Sequence, residues 1–269
     1  MDSPPPTRTV LVTGASAGIG QAFARVFAAH GFDLVLTARR EDRLRTLADE
    51  LTAGHGVAAR VMPADLSDPA APARLQADLD AANVTVDALV NNAGFGLPGK
   101  FASTTWDDQS RFIQLMVTSY AELAHRFLPG MIARGYGRVI NVSSVSGLVP
   151  GTPGHTLYAA AKAFLIRFSQ SLALETRRDG VHVTAVCPGF TRSEFHDVNG
   201  TRPMMSRMPS WVWLDADAVA RQGFDAVMAG SPVLVNGALY KVIVLLARWL
   251  PESLVMRVAL AQSRRFRKQ

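Results

Sequence analysis

The 269-residue sequence predicts an α/β fold: a single doubly wound parallel sheet of about seven strands, flanked by helices. Three observations predict it. Short β-branched apolar runs alternate with longer stretches of helical periodicity from residue 8 to about 190. A glycine-rich turn lies where the first run gives way to the first helical stretch. Hydrophobic residues make up 48% of the chain, enough for one sizeable core.

The strands are expected at 9–13, 33–37, 58–62, 88–91, 138–142 and 182–186, with a weaker seventh at 232–235. Between them, 18–30 places Phe23, Val26 and Phe27 on one helical face, and 42–51 does the same with Leu44, Leu47 and Leu51. Right-handed crossovers then put the ligand crevice at the carboxyl ends of the strands. After the sixth strand, 191–214 loses clean periodicity. It combines Gly200, Pro203 and Pro209 with Met204, Met205, Met208, Trp211 and Trp213, the composition of an irregular binding loop or lid. The stretch 237–267 reads as two helices broken at Pro251. The expected organisation is a disordered tail over 1–7, one domain over 8–236 including the lid, and a basic helical extension over 237–269 packed on the same domain.

Composition excludes several classes. Cys187 is the only cysteine, so no intramolecular disulfide forms, and a reducing, cytoplasmic setting is expected. The six histidines never fall within one helical turn of each other, and no metal site is expected. The start, Met1-Asp2-Ser3-Pro4-Pro5-Pro6, lacks the basic and apolar regions of a signal peptide. The apolar run 242–247 is too short to span a bilayer. Net charge is +6, yet residues 241–269 hold seven basic residues against Glu252 alone, leaving the rest neutral. With no aromatic or base-reading module beside this basic end, nucleic acid is not an expected partner.

The chemistry lies in a series of short motifs. Thr13-Gly14-Ala15-Ser16-Ala17-Gly18-Ile19-Gly20 joins the first strand to the first helix. Its glycines permit a tight turn and let backbone amides approach a pyrophosphate at the positive end of the helix. Asn91-Asn92-Ala93-Gly94 closes the fourth strand, Ser143-Ser144 closes the fifth, and Tyr158 and Lys162 share one face of the helix that follows. A tyrosine with a pKa of about 10 is a poor base at neutral pH. A neighbouring ammonium stabilises its phenolate, while a serine hydroxyl orients a substrate oxygen. Ser143 and Ser146 stand as alternatives to Ser144.

In this order and spacing, Thr13–Gly20, Asn91–Gly94, Ser144, Tyr158/Lys162 and Pro188-Gly189 resemble the short-chain dehydrogenase/reductase family across residues 8 to about 235. The resemblance implies a Rossmann-like domain, a nicotinamide cofactor and an active site of Ser144, Tyr158 and Lys162. It also implies that Gly14, Ser16, Ala17, Gly18, Ile19 and Gly20 hold the cofactor with Asn92, Ala93 and Gly94. Lys162 would hold the nicotinamide ribose, and Asp65 and Leu66 would sit near the adenine. Pro188 and Gly189, with the Thr191 and Ser193 hydroxyls, would flank the nicotinamide amide and phosphates.

Two departures stand out. Met116 occupies the position where the family usually carries an asparagine that shapes a water path to the lysine, and a thioether cannot replace an amide. Ser144 precedes Tyr158 by one residue more than expected, which the loop at 150–155 would absorb.

After the second strand come Arg39 and Arg40, where NAD-preferring sites carry an acid for the ribose 2′-hydroxyl. Arginine suits a 2′-phosphate, so the expected cofactor is NADP(H). Cys187 reads as a small buried residue, Asn91 and Asn141 as partners of backbone groups, and His155 and His196 as exposed loop residues. The leading expectation is hydride transfer between the nicotinamide and a carbonyl or secondary alcohol of an apolar small molecule, in a homo-oligomer. The alternative is an NADP-binding protein with weak catalysis, acting through partner or membrane contacts. For the basic extension the first expectation is that Leu239, Val242, Ile243, Leu246 and Leu250, then Leu254, Val255 and Val258, cover the core or a subunit interface. The second is peripheral contact with an anionic membrane.

Overall fold

The computed structural model describes residues 7–97, 99–154, 156–194, 208–251 and 253–257. Residues 1–6, His155, His196, Gly200, Pro203, Met204 and Met205 lie outside these, as does the C-terminal end from Val258 onward.

Seven strands form one parallel sheet in the order β3-β2-β1-β4-β5-β6-β7. They are β1 (Thr9–Thr13), β2 (Asp33–Thr37), β3 (Ala59–Val61), β4 (Ala88–Asn91), β5 (Gly137–Val142), β6 (Val181–Cys187) and β7 (Val233–Val235). The order reverses between β1 and β4, which opens a crevice at their carboxyl ends. The central strands are apolar on both faces because helices cover both.

One face carries α1 (Gly18–Ala29), α2 (Glu41–His55) and α7 (Ala216–Met228). Its core holds Phe23, Phe27, Leu44, Leu47, Leu51, Val219 and Phe224. Phe27 meets Phe32 and Phe224 edge-on, with centroids 5.1 and 5.0 Å away. The other face carries α3 (Ala71–Ala81), α5 (Ser119–Ala133) and α6 (Thr156–Glu175), which bury Leu75, Leu79, Leu123, Phe127 and Leu172. Helix α4 (Trp106–Ile113) runs into α5 through a π-helical turn over Gln114–Thr118. Such single wide turns are frequently found at functional sites.

The last described helix, α8 (Ala238–Trp249), corrects the core-covering expectation. Only Tyr240 among its twelve residues is buried, and Val242, Ile243, Leu246, Leu250 and Leu254 are exposed. Among the described residues, α8 contributes to none of the buried core clusters, and its apolar side stays exposed.

Candidate active site

The glycine turn is sewn to the end of β4 by a polar network. The Thr13 hydroxyl donates to the Val90 carbonyl (3.1 Å) and accepts from the Asn92 and Ala93 amides (2.8 and 3.0 Å). The Asn92 amide group donates back to the Thr13 carbonyl (2.9 Å) and the Gly14 carbonyl (3.3 Å). Asn92 therefore braces the two turns that form the crevice floor. The turn tolerates no side chain at Gly20, where a Cβ would stand 2.3 Å from the Gly14 carbonyl oxygen. Ala17 caps α1 without a side-chain hydrogen bond, and the first turn carries no acid. The positive end of α1 thus faces the crevice with uncapped amides, and the bare turn leaves room for a phosphate to approach them. Ser193 reaches this turn from the far side of the sheet: a Cβ on Gly18 would stand 2.8 Å from its own.

The expected catalytic residues come together at the ends of β5 and α6. Ser144 lies just past β5, close enough to Tyr158 for its side chain to act against the upward shift of that hydroxyl. Its hydroxyl also accepts from the Ser146 amide (3.2 Å) and the Ser146 hydroxyl (2.8 Å). Ser143 points the other way, buried and donating to the Lys162 carbonyl (2.7 Å). The geometry thus favours Ser144 over both alternatives. Burial pushes Tyr158 up to about 12, against the opposing effect of Ser144, so its hydroxyl is protonated at neutral pH. Burial also lowers Lys162 to about 7. Its ammonium donates to the Val142 carbonyl (2.7 Å) and sits 5.7 and 5.8 Å from the ring centroids of Tyr158 and Tyr120. Tyr120 was not foreseen; buried in α5, its hydroxyl donates to the Ala93 carbonyl (2.9 Å) and its ring forms one side of the lysine pocket.

Met116 lies in the π-helical turn, fully buried with Phe112 and Ala161, beside Phe95, Leu97 and Tyr158. Its sulfur stands 2.7 Å from where a Cβ on Gly94 would be, so it fills the space between that turn and α6. Asn91 and Asn141 serve backbone and side-chain partners away from the crevice: Asn91 donates to the Tyr120 carbonyl (3.1 Å) and to Asn141 (2.9 Å). Cys187 is buried at the end of β6, and burial pushes its thiol up to about 12, which leaves it protonated and inert.

At the other end of the crevice Arg39 is exposed and Arg40 half-buried. Arg40 donates to the Ser16 hydroxyl (3.1 Å) and to Glu194 (2.9 Å), and Arg43 reaches the same carboxylate at 2.6 Å. Glu194 and Arg43 carried no motif signal, and only the fold brings them beside Ser16. The Asp65 carboxylate accepts from the Ser67 amide (3.0 Å) and hydroxyl (2.7 Å). Burial works upward on Asp65, but Ser67, Arg39 and Arg111 outweigh it and hold the carboxyl below its usual value. Leu66 is a core residue, offering its backbone carbonyl to the Ser119 hydroxyl (2.7 Å).

Pro188 and Gly189 follow β6, where Pro188 accepts from the Val145 amide (3.0 Å) beside Ser144. The neck of the expected lid closes by pairing Thr191 with Leu214, and the Thr191 hydroxyl is spent on the Gly189 carbonyl (3.1 Å). Tyr240 of α8 locks this neck: its hydroxyl accepts from the Phe190 amide (3.0 Å) and donates to the Val212 carbonyl (2.6 Å). Its ring lies flat against Gly189, where a Cβ would stand 2.0 Å away. A cavity of about 900 Å³ opens at the opposite end of the strands, among Arg8, Asp33, Asp87 and Tyr136, remote from all of these residues.

A doubly wound sheet with a glycine turn at its switch point and a serine, a tyrosine and a lysine at its rim defines an oxidoreductase of the dinucleotide-dependent class. The sequence pattern of the short chain dehydrogenase family matches residues 8–202. The chain is 38% identical over 186 residues to "Oxidoreductase UcpA" of Salmonella typhimurium, covering 69% of this chain and 70% of the relative. Among solved structures it is similar to a short-chain dehydrogenase from Sphingobium yanoikuyae in complex with NADPH: TM-score 0.79, 34% identity, 90% of this chain and 93% of that one. It is also similar to the bulky-bulky ketone specific alcohol dehydrogenase from Comamonas testosteroni: TM-score 0.75, 30% identity, 90% and 92% covered. The chain belongs to the short-chain dehydrogenase family.

Proposed function

We propose that the protein is an NADP(H)-dependent oxidoreductase that interconverts the carbonyl and secondary alcohol of an apolar substrate. The observation that carries this is the convergence of Ser144, Tyr158 and the buried Lys162 under the Pro188–Gly189 turn. When bound, the cofactor supplies or accepts the hydride. Gly14, Ser16, Ala17, Gly18, Ile19 and Gly20 would hold it with the first turn of α1, next to Asn92, Ala93 and Gly94. Asp65 and Leu66 would border the adenine, and Ser193 the phosphates. Arg39 and Arg40, with no acid between them and β2, would receive a 2′-phosphate. The neighbour bound to NADPH supports this choice.

In the reductive direction Ser144 donates a hydrogen bond to the substrate carbonyl oxygen. Tyr158, protonated at neutral pH, gives its proton to that oxygen as negative charge develops there, so the product is a neutral alcohol. The resulting phenolate is stabilised by the Lys162 ammonium and regains its proton from water. In the oxidative direction the same groups run in reverse. Phe190 and Trp213, with ring centroids 6.0 Å apart at the neck of the lid, supply apolar wall for a bulky substrate. The similarity to the bulky-bulky ketone specific enzyme of Comamonas supports such a substrate.

A second reading, cofactor binding with weak turnover, is favoured by Met116, which puts a thioether where an amide usually serves the lysine. The test is a panel of bulky ketones assayed by NADPH oxidation, with NADH alongside and Tyr158→Phe as control. The expected result is turnover that prefers NADPH and falls at least about a hundredfold in the variant, while NADPH binding persists. Variant activity within a few fold of wild type would remove Tyr158 from the mechanism. NADPH binding with no turnover across the panel would favour the second reading.

A further inference from the structure

Helix α8 leaves most of its apolar surface uncovered. Val242, Leu245, Leu246 and Trp249 recur at three- and four-residue spacing and so form one stripe, and they are 52%, 55%, 52% and 81% exposed. Ile243 and Leu250 widen the stripe, and Leu254 and Met256 continue exposed apolar surface beyond Pro251. Contiguous apolar patches of this kind mark an interaction surface. Lys241 and Arg248, two helical turns apart, run along one edge, and Arg257 lies further on. Residues 241–269 carry seven basic residues and Glu252 as the only acid, while the rest of the chain is neutral.

We propose that α8 is an interfacial helix that docks this enzyme on an anionic lipid surface. Charge selects this occupant. A second copy meeting the first through α8 would bring two segments of like charge together, whereas acidic headgroups attract each of them. An in-plane helix needs an apolar stripe flanked by basic residues and does not need to span the bilayer. Among the described residues no helix is long and apolar enough to cross a membrane. Trp249, the most exposed of the large apolar side chains among the described residues, belongs at the headgroup boundary, where indole rings are enriched.

The placement of α8 adds to the case. Its root, Tyr240, is bonded to Phe190 and Val212 at the neck of the lid, and Trp211 beside that contact is 68% exposed. A surface held against α8 therefore also faces the lid neck. An apolar carbonyl dissolved in the lipid would reach the lid without crossing bulk water. That last step rests on the proposed reaction; the docking itself does not.

The experiment is co-sedimentation of the full chain with vesicles of phosphatidylcholine alone and of an equal mixture of phosphatidylcholine and phosphatidylserine. Binding to the acidic vesicles is expected to be at least about tenfold stronger at low salt and to fall at high salt. Tryptophan emission should shift to the blue on binding. The double variant Leu245→Ser/Trp249→Ser changes only exposed positions, so its melting temperature and NADPH binding should match wild type while vesicle binding is lost. Absence of binding to acidic vesicles at low salt overturns the proposal, as does equal binding by the double variant. A lipid-free oligomer that the double variant splits into smaller units would also overturn it, because a second copy would then be the occupant.

Discussion

Lys162 connects charge to cofactor affinity. Burial lowers its ammonium to about 7, and its surroundings are two tyrosine rings and the Val142 carbonyl rather than a carboxylate. At pH 8 the free enzyme therefore holds this lysine largely neutral. An anionic cofactor against it favours the charged form, so binding takes up a proton. The cofactor 2′-phosphate adds nothing at that pH, since its second ionisation lies near about 6. Calorimetry of NADPH binding at pH 8 in buffers of different ionisation enthalpy should show an uptake approaching one proton, absent in Lys162→Met. Equal uptake by both proteins would place the titrating group elsewhere. Arg39 offers a second test at this scale. It is exposed and borders Asp65, whereas the Arg40 guanidinium is divided between Ser16 and Glu194. Arg39→Ala should thus lower the preference for NADPH over NADH by roughly tenfold or more, read as the ratio of the two dissociation constants. Equal losses for both cofactors would mean that Arg39 does not meet the phosphate.

At the scale of elements, the segment around Thr191 and Glu194 lies against the glycine turn and its arginines. Glu194 stands three residues beyond Thr191 and receives both Arg40 and Arg43; Arg43 first and Arg40 second hold its carboxyl below the ordinary value, so it is ionised at neutral pH. A phosphate arriving beside Arg40 meets that negative charge and competes for the same guanidinium. Glu194→Gln should consequently tighten NADPH binding several-fold and leave NADH nearly unchanged, measured by fluorescence titration. Weaker NADPH binding would mean that Glu194 positions the arginines instead. None of this was legible in the sequence, because an ion pair between residues about 150 positions apart leaves no local pattern. The strands were legible for the opposite reason. A parallel strand covered on both faces is a continuous apolar run, and β1, β2 and β4 fall where such runs lie. β3 is shorter at both ends than its pattern suggests, being an edge strand paired only with β2. The π-helical turn that seats Met116 was hidden too, since it changes hydrogen-bond spacing without changing composition.

For the whole molecule, the crevice floor and the residues on it follow from motif order alone, and the surfaces beyond it do not. Ser144, Tyr158 and Lys162 lie at the ends of predicted elements, so placing the elements places them. The apolar periodicity of α8 is equally clear in the sequence, yet periodicity reports that a stripe exists and not what it faces. Among the described residues that stripe stays exposed, and its root is tied to the active-site rim through one hydroxyl. Tyr240 joins three parts of the molecule: α8 itself, the turn after β6, and the return of the lid at Val212. Removing the hydroxyl leaves the Phe190 amide and the Val212 carbonyl without this partner in a half-buried setting. The expected cost for Tyr240→Phe is about 1–3 kcal/mol. For a chain of this size that corresponds to a melting temperature lower by roughly 2–10 °C. The ring still packs on Gly189, so the sheet should stay intact while the neck opens. Limited proteolysis should therefore cut the variant faster within 191–214 than wild type, with cleavage elsewhere unchanged. A lower melting temperature with no change in cleavage would confine Tyr240 to stability and detach α8 from the lid.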